Sequence, residues 1–292
     1  MRLFVNITLG GVAEGLIFAS VALALVLIYR ATNIVNFAQG AMAMLTTFIA
    51  FSIFDKGISY WATFIIALAC GLLLGGAVQI VLIRPVQNKP PLNAVIVTFG
   101  LLILLEGVAG AIWGNSNRSF PAAFSQRGLV IGNTAIAFSH FDVFVVAAVL
   151  VLLVIVAVLF RFTTLGLRMR AAAFAPETAR LLGVRVGRLL TLGWAFAAVA
   201  GALAGMLVAP TSVFSPNFMD LILVYAFTAA VVGGLDSPLG ALVGGLITGL
   251  ALAYVGGYLG GALEPIGALV MLIVVLMIRP EGLFSRPAAR RV

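Results

Sequence analysis

A chain of 292 residues that is 63% hydrophobic and only 9% charged lies far from a soluble composition, which is about half apolar and about a quarter charged. A water-soluble fold must keep a polar exterior, so a mean hydropathy of +1.22 excludes one and leaves the lipid bilayer as solvent. The net charge of +8 does not point to nucleic acid, because the 17 basic residues fall in short breaks between long apolar runs and not on one continuous face.

Taken in chain order, the first apolar run is Ile7–Tyr29. Its Ala22-Leu23-Ala24 triplet mimics a signal-peptidase site, but the run continues past it without a polar segment and is long enough to span, so it reads as a retained first helix. Further spans are expected at Phe37–Phe54, Tyr60–Ile83, Leu92–Trp113, Phe141–Phe160, Leu189–Ala209, Phe218–Gly234, Leu239–Val255 and Leu263–Ile278. The expected fold is all-α, a polytopic transmembrane bundle of about 8–9 spans forming a single domain over residues 1–292. Pro216, Pro238 and Pro265 predict broken or re-entrant helices among the last three. An outside loop is expected at about 114–140, with a small hairpin in its alternating Leu129–Phe138 stretch.

Basic residues orient the chain. Arg30, Arg84, Lys89, the six arginines of the 161–188 segment (Arg161, Arg168, Arg170, Arg180, Arg185, Arg188) and the tail's Arg279, Arg286, Arg290 and Arg291 fall on one side of the alternating spans. Arg2, Lys56, Arg118 and Arg127 fall on the other. The richer side is read as cytoplasmic, which puts the N-terminus outside and the C-terminus inside. Glycines four apart, such as Gly11/Gly15, Gly71/Gly75, Gly201/Gly205, Gly240/Gly244 and Gly245/Gly249, let helix backbones approach closely. The expectation is tight packing within one subunit, with subunit contacts or hinges as the alternative.

Catalytic machinery is not visible. Lys56 and Lys89 follow Asp55 and Asn88, so there is no phosphate-binding Gly-Lys-Ser/Thr, and no two glycines are separated by one residue as a dinucleotide fingerprint needs. A single histidine, His140, stands next to Ser139 and near Asp142 at a span boundary, where a structural role is expected, not a triad. Cys70 is alone in an apolar run and is read as a packing residue. No catalytic residue, metal site or cofactor is expected on this chain.

The segment after Phe160 reads RFTTLGLRMRAAAFAPETARLLGVRVGR. Pro176 and Glu177 suit a first helical turn, and Gly183 suits a left-handed stop. The short helix between them is expected to display Ala179, Leu181 and Leu182 with Arg180. Such a helix outside the bilayer is either a docking element for another protein or a basic loop resting on headgroups.

This segment resembles the cytoplasmic coupling loop of the permeases of branched-chain amino acid ABC transporters. LIYRATNIVNFAQGAMAML (Leu27–Leu45), IRPVQNKPPLNAVIVTFGLLILLEG (Ile83–Gly107), AVVGGLDSPLGALVGGLITG (Ala230–Gly249) and IRPEGLF (Ile278–Phe284) resemble stretches of that family in the same order. The resemblance implies an importer of the inner membrane. In it, two permease subunits, related or identical, form the pathway, two ATPase subunits use ATP, and a periplasmic binding protein delivers the ligand. It implies contact with an ATPase across Arg168–Gly187, with Arg168, Arg170, Ala173, Pro176, Glu177, Ala179, Leu181, Leu182 and Gly183 as the coupling residues. The chain departs from the family's usual pattern at Gln39, where histidine is common, and at Tyr225, where lysine is common. Because the family also includes importers of urea, amides and aromatic acids, these remain alternatives to a branched-chain amino acid.

Polar residues inside spans are costly and mark pathway candidates. Asn36 and Gln39 lie three apart on one helical face, and Thr98, Glu106 and Glu14 complete the set. For the two glutamates, a buried structural hydrogen bond is the alternative, and Asp236 before Pro238 reads as a cap. A secondary transporter or channel subunit would need paired carboxylates or broken helices at midplane; no carboxylate pair is evident in the sequence.

Overall fold

A computed structural model describes residues 2–87, 89–131 and 134–284. The chain runs through α1 (Arg2–Thr32), α2 (Gln39–Phe54), α3 (Tyr60–Val78) with a π-helical turn at Gln79–Ile83, and α4 (Pro91–Trp113). A β-hairpin follows, β1 (Gly128–Ile131) with β2 (Thr134–Ser139), then α5 (His140–Phe162), α6 (Thr164–Phe174) and α7 (Pro176–Leu181). Last come α8 (Val186–Val208), α9 (Asp220–Gly233), α10 (Pro238–Leu259) and, after a 3-10 turn, α11 (Glu264–Ile278).

Among the described residues seven helices are long and apolar enough to cross a membrane, while α2 and α9 are apolar but shorter. Of the three prolines, Pro216 lies in the non-helical stretch before α9, one of the two half-length helices. Pro238 and Pro265 instead begin α10 and α11, where the missing N–H has no helical partner to lose, and α10 runs unbroken to Leu259. The other half-length helix, α2, is also preceded by a non-helical stretch.

Sequence-local signals set the helix starts. Ser59 accepts from Ala62 N–H, and Ser237 accepts from Gly240 N–H at 3.0 Å. Ser139 and Asp142 form a reciprocal capping box on α5, with Ser139 Oγ 2.7 Å from Asp142 Oδ2, which accounts for the Ser-His-Asp proximity as helix capping. The 114–140 loop holds the expected antiparallel hairpin, Val130 opposite Ala135; its Gly132 and Asn133 lie outside the described residues, as do the tail's Arg286, Arg290 and Arg291.

Helices α1 and α8 are the most buried, α2 fills in beside them, and α3, α4, α5, α10 and α11 form the perimeter with apolar side chains outward. The glycine pairs pack within this subunit. Helix α1 meets α10 antiparallel: a side chain on Gly249 would begin 2.2 Å from Gly15 Cα. Helix α3 meets α8 the same way, with Gly71 and Gly75 against Ala198, Ala202 and Trp194. Beyond α11 the chain returns to cap α9, as Leu283 and Phe284 N–H donate to the Val232 and Gly233 carbonyls at 2.9 and 3.1 Å.

Candidate functional site

Two polar regions stand out, one inside the bundle and one beyond it. The first arises where α2 and α9 begin. Gln39 Nε2 donates to the carbonyl of Ala197 at 3.0 Å, which lies about three turns into α8, so α2 starts inside the membrane thickness. Its neighbour Gly40 faces Met219, the residue before α9, whose backbone oxygen is 3.3 Å from where a Gly40 side chain would begin. Two half-length helices therefore start at one depth, with their amino-terminal ends together.

Non-helical backbone at this depth needs burial in protein. Between α8 and α9, Phe214 exchanges two backbone hydrogen bonds with Arg118 of the 114–140 loop (3.0 and 3.2 Å). Its ring is fully buried, stacked 4.2 Å from Phe48 and edge-on to Phe120. Arg118 lies 5.6 Å over the Phe51 ring and donates to the carbonyl of Trp113. The loop thereby clamps the non-helical stretch between α8 and α9.

Around the paired helix starts the sequence candidates divide. Asn36 and Gln39 are both fully buried; Asn36 Nδ2 donates to Gln39 Oε1 at 3.0 Å, and Asn36 Oδ1 accepts from Ala38 N–H at 3.1 Å. Their amides are thus used in holding the start of α2 against α8. Thr98 is buried and donates to its own helix at Val95 O, 3.0 Å. Next to it, Phe99 stacks on Phe37 at 4.5 Å, and Phe227 lies 6.1 Å on the other side of Phe37. Glu106 of α4 lies within hydrogen-bond reach of the Asp220 carboxyl at the start of α9, and its Oε1 finds no donor among the described residues. Glu14 lies apart, on an exposed side of α1, with Glu264 of α11 as its main electrostatic neighbour.

The Glu106–Asp220 pair is not evident in the sequence. The two residues are far apart in sequence, so only the tertiary fold reveals them. Asp220 itself had a legible signal, an acid opening a helix shortly after Pro216. Phe99 of α4 and Asp220, Leu221 and Val224 of α9 are exposed, near the acidic pair. A carboxylate at the bilayer centre costs about 2.5–3.5 kcal/mol even on lenient scales. The surroundings of the pair suit water or protein, not acyl chains.

The second region is the 161–188 segment. Helix α7 begins at Pro176 with Glu177 in its first turn. Gly183, at φ +79°, ends it with both bonds of a Schellman motif, Gly183 N–H to Arg180 O at 3.0 Å and Val184 N–H to Ala179 O at 2.9 Å. The sequence did not reveal α6 as a separate helix; Thr163, accepting from Gly166 N–H, starts it. Ala179 differs from expectation: it is 4% exposed, packed with Met169, Ala172, Val186 and Leu189. Leu181 and Leu182 are 89% and 78% exposed, and Phe174, missed in the sequence, is 93% exposed. Arg168, Arg170, Ala173, Glu177 and Arg180 are also exposed. The two short helices thus share a small buried core and present apolar side chains among charges on the outer face.

Comparison with known proteins places this architecture. Residues 7–278 match the family described as branched-chain amino acid transport system / permease component. The chain belongs to this permease family. The high-affinity branched-chain amino acid transport system permease protein LivH of Escherichia coli K12 is 30% identical over 99% of this chain and 98% of its own length. BraD of Pseudomonas aeruginosa PAO1 is 28% identical over 97% and 96%, and a probable LivH of Methanocaldococcus jannaschii 27% over 94% and 90%. In fold, the chain resembles PsaBC from Streptococcus pneumoniae, solved in complex with a Fab, at a TM-score of 0.50 and 15% identity over 96% of this chain and 93% of that one. This permease is a multi-span inner-membrane subunit of an ABC importer, a class that works with ATPase and binding-protein partners.

Proposed function

We propose that this permease carries a branched-chain amino acid along α4 and α9, and that a second permease subunit, related or identical, closes the other side. The observation that carries this reading is the Glu106–Asp220 pair at the start of a half-length helix, in surroundings that lipid does not suit. The carboxylates offer acceptors to a ligand ammonium, the amino-terminal ends of α2 and α9 offer N–H groups to a ligand carboxylate, and Phe37, Phe99 and Phe227 offer an apolar wall to an aliphatic side chain. Asn36, Gln39 and Thr98 hold that geometry from within. High-affinity selection rests with a periplasmic binding protein.

Two ATPase subunits dock on α6 and α7, with Phe174, Leu181 and Leu182 as apolar contacts and Arg168, Arg170, Ala173, Glu177, Arg180 and Gly183 around them. The N-terminus lies outside and the C-terminus in the cytoplasm. The chain binds no cofactor, and ATP is used by the partners. Uptake of labelled leucine by the complex reconstituted with its binding protein tests the ligand. Isoleucine and valine should compete, and glutamate and lysine should not. Competition by glutamate or lysine alone defeats a neutral ligand; a preference for urea or an aromatic acid defeats only the amino acid assignment.

A further inference from the structure

On the membrane face that carries residues 161–188, a cavity of about 580 Å³ opens between the π-helical turn after α3 and the start of α8. Ile80, Arg84, Arg185, Gly187, Arg188, Thr191 and Leu192 line it. Its lining holds three arginines and no acid, and none of the three has an ion-pair partner among the described residues. The space over Gly187, in the first turn of α8, is open, so the positive dipole end of that helix adds to the arginines.

Two further features distinguish the cavity from a basic loop. Behind the lining residue Thr191, fully buried Gln79 accepts from Thr191 Oγ1 at 2.5 Å, while its Nε2 has no partner among the described residues. A spare buried donor is rare in a finished core and marks room for an acceptor. The wall also turns apolar toward the bilayer, where Ile80 and Leu192 are half-exposed. The π-turn, closed by Arg84 N–H to Gln79 O at 2.8 Å, keeps Arg84 on the same side as Ile80.

We infer that this cavity is a binding site for a phosphate group carried by an anionic phospholipid. Arg84, Arg185 and Arg188, at the positive end of α8, hold the phosphate, and an acyl chain runs over Ile80 and Leu192. Guanidinium forks suit phosphate oxygens bidentately, and basic pockets between membrane helices at the headgroup level are where such lipids settle. The inference is independent of which ligand the permease carries.

Native mass spectrometry of the purified full chain, titrated with phosphatidylglycerol or with phosphatidylcholine of the same acyl chains, tests it. Phosphatidylglycerol should bind about tenfold more tightly, and Arg84→Gln with Arg188→Gln should remove that preference. Arg84→Lys with Arg188→Lys should keep most of it, and Arg127→Gln on the opposite membrane face should leave it unchanged. Where the double glutamine variant does not accumulate, Arg185→Gln, an exposed side chain, should weaken the preference by itself. Equal binding of the two lipids, or a preference that survives loss of these arginines, overturns the site. Displacement of phosphatidylglycerol by millimolar inorganic phosphate overturns the lipid as its source and makes it a site for a soluble anion.

Discussion

Gln39 shows how a polar residue inside a span serves structure first. Its amide holds both the Asn36 amide and the Ala197 carbonyl in a fully buried position. Gln39→Leu strands both partners, at about 1–3 kcal/mol for each buried group left unpaired. The variant should melt at lower temperature in detergent and transport more slowly, with the binding protein's affinity unchanged; an unaltered melt sinks the structural role. Glu106 and Asp220 call for the opposite result. Asp220 is exposed and Glu106 half-buried, and neither carboxyl fills a packed core position. Glu106→Leu with Asp220→Leu should therefore accumulate normally and lower uptake by about tenfold or more, an effect of the size expected when one good charged contact is lost. Uptake at the parental rate would remove the pair from the pathway.

At the scale of elements, α7 carries its own control. Leu182 is exposed and Ala179, three residues earlier, is buried in the small core of the segment. Leu182→Asp puts a charge where only a partner could bury it, at a cost of several kcal/mol in the docked state alone. The variant should insert and melt as the parent does, co-purify poorly with its ATPases and lose transport. Ala179→Asp should instead destabilise the chain itself. Co-purification of the Leu182→Asp chain at parental yield would return α7 to the status of a surface loop. The α1–α10 contact depends on glycine for a different reason, close approach of two backbones. Gly249→Val would drive a side chain into Gly15, and accumulation in the membrane should fall sharply.

For the whole molecule, orientation rests on where the basic residues cluster. In a Cys70→Ala background, a cysteine at Ser116 in the 114–140 loop should react with an impermeant thiol reagent added from outside, and one at Thr178 in α7 should not. Equal labelling of both would overturn the orientation. The ATPase partners supply a second check: purified alone, the chain should show no ATP hydrolysis above background, because it has no phosphate-binding loop. Activity in a preparation free of other chains contradicts that division of labour.

Composition and hydropathy by themselves determined that the chain spans a membrane as a helical bundle, because lipid forces every spanning backbone to satisfy its hydrogen bonds internally. Local chemistry also made the starts and stops legible: Pro176 and Gly183 bounded α7, the alternating run before Ser139 made the hairpin, and the family motifs stood in order along the chain. What depended on long-range packing was hidden. Pro238 and Pro265 suggested broken helices, yet proline equally begins a helix, and neighbours decide which. Ala179 looked like its exposed neighbours until Met169 and Leu189 packed against it. The meeting of Glu106 with Asp220, the shared depth of α2 and α9, and the three arginines around one cavity join residues distant in sequence. Only tertiary structure brings such residues within reach, because charge pairing and cavity shape depend on distances in space that helical periodicity along one segment does not encode.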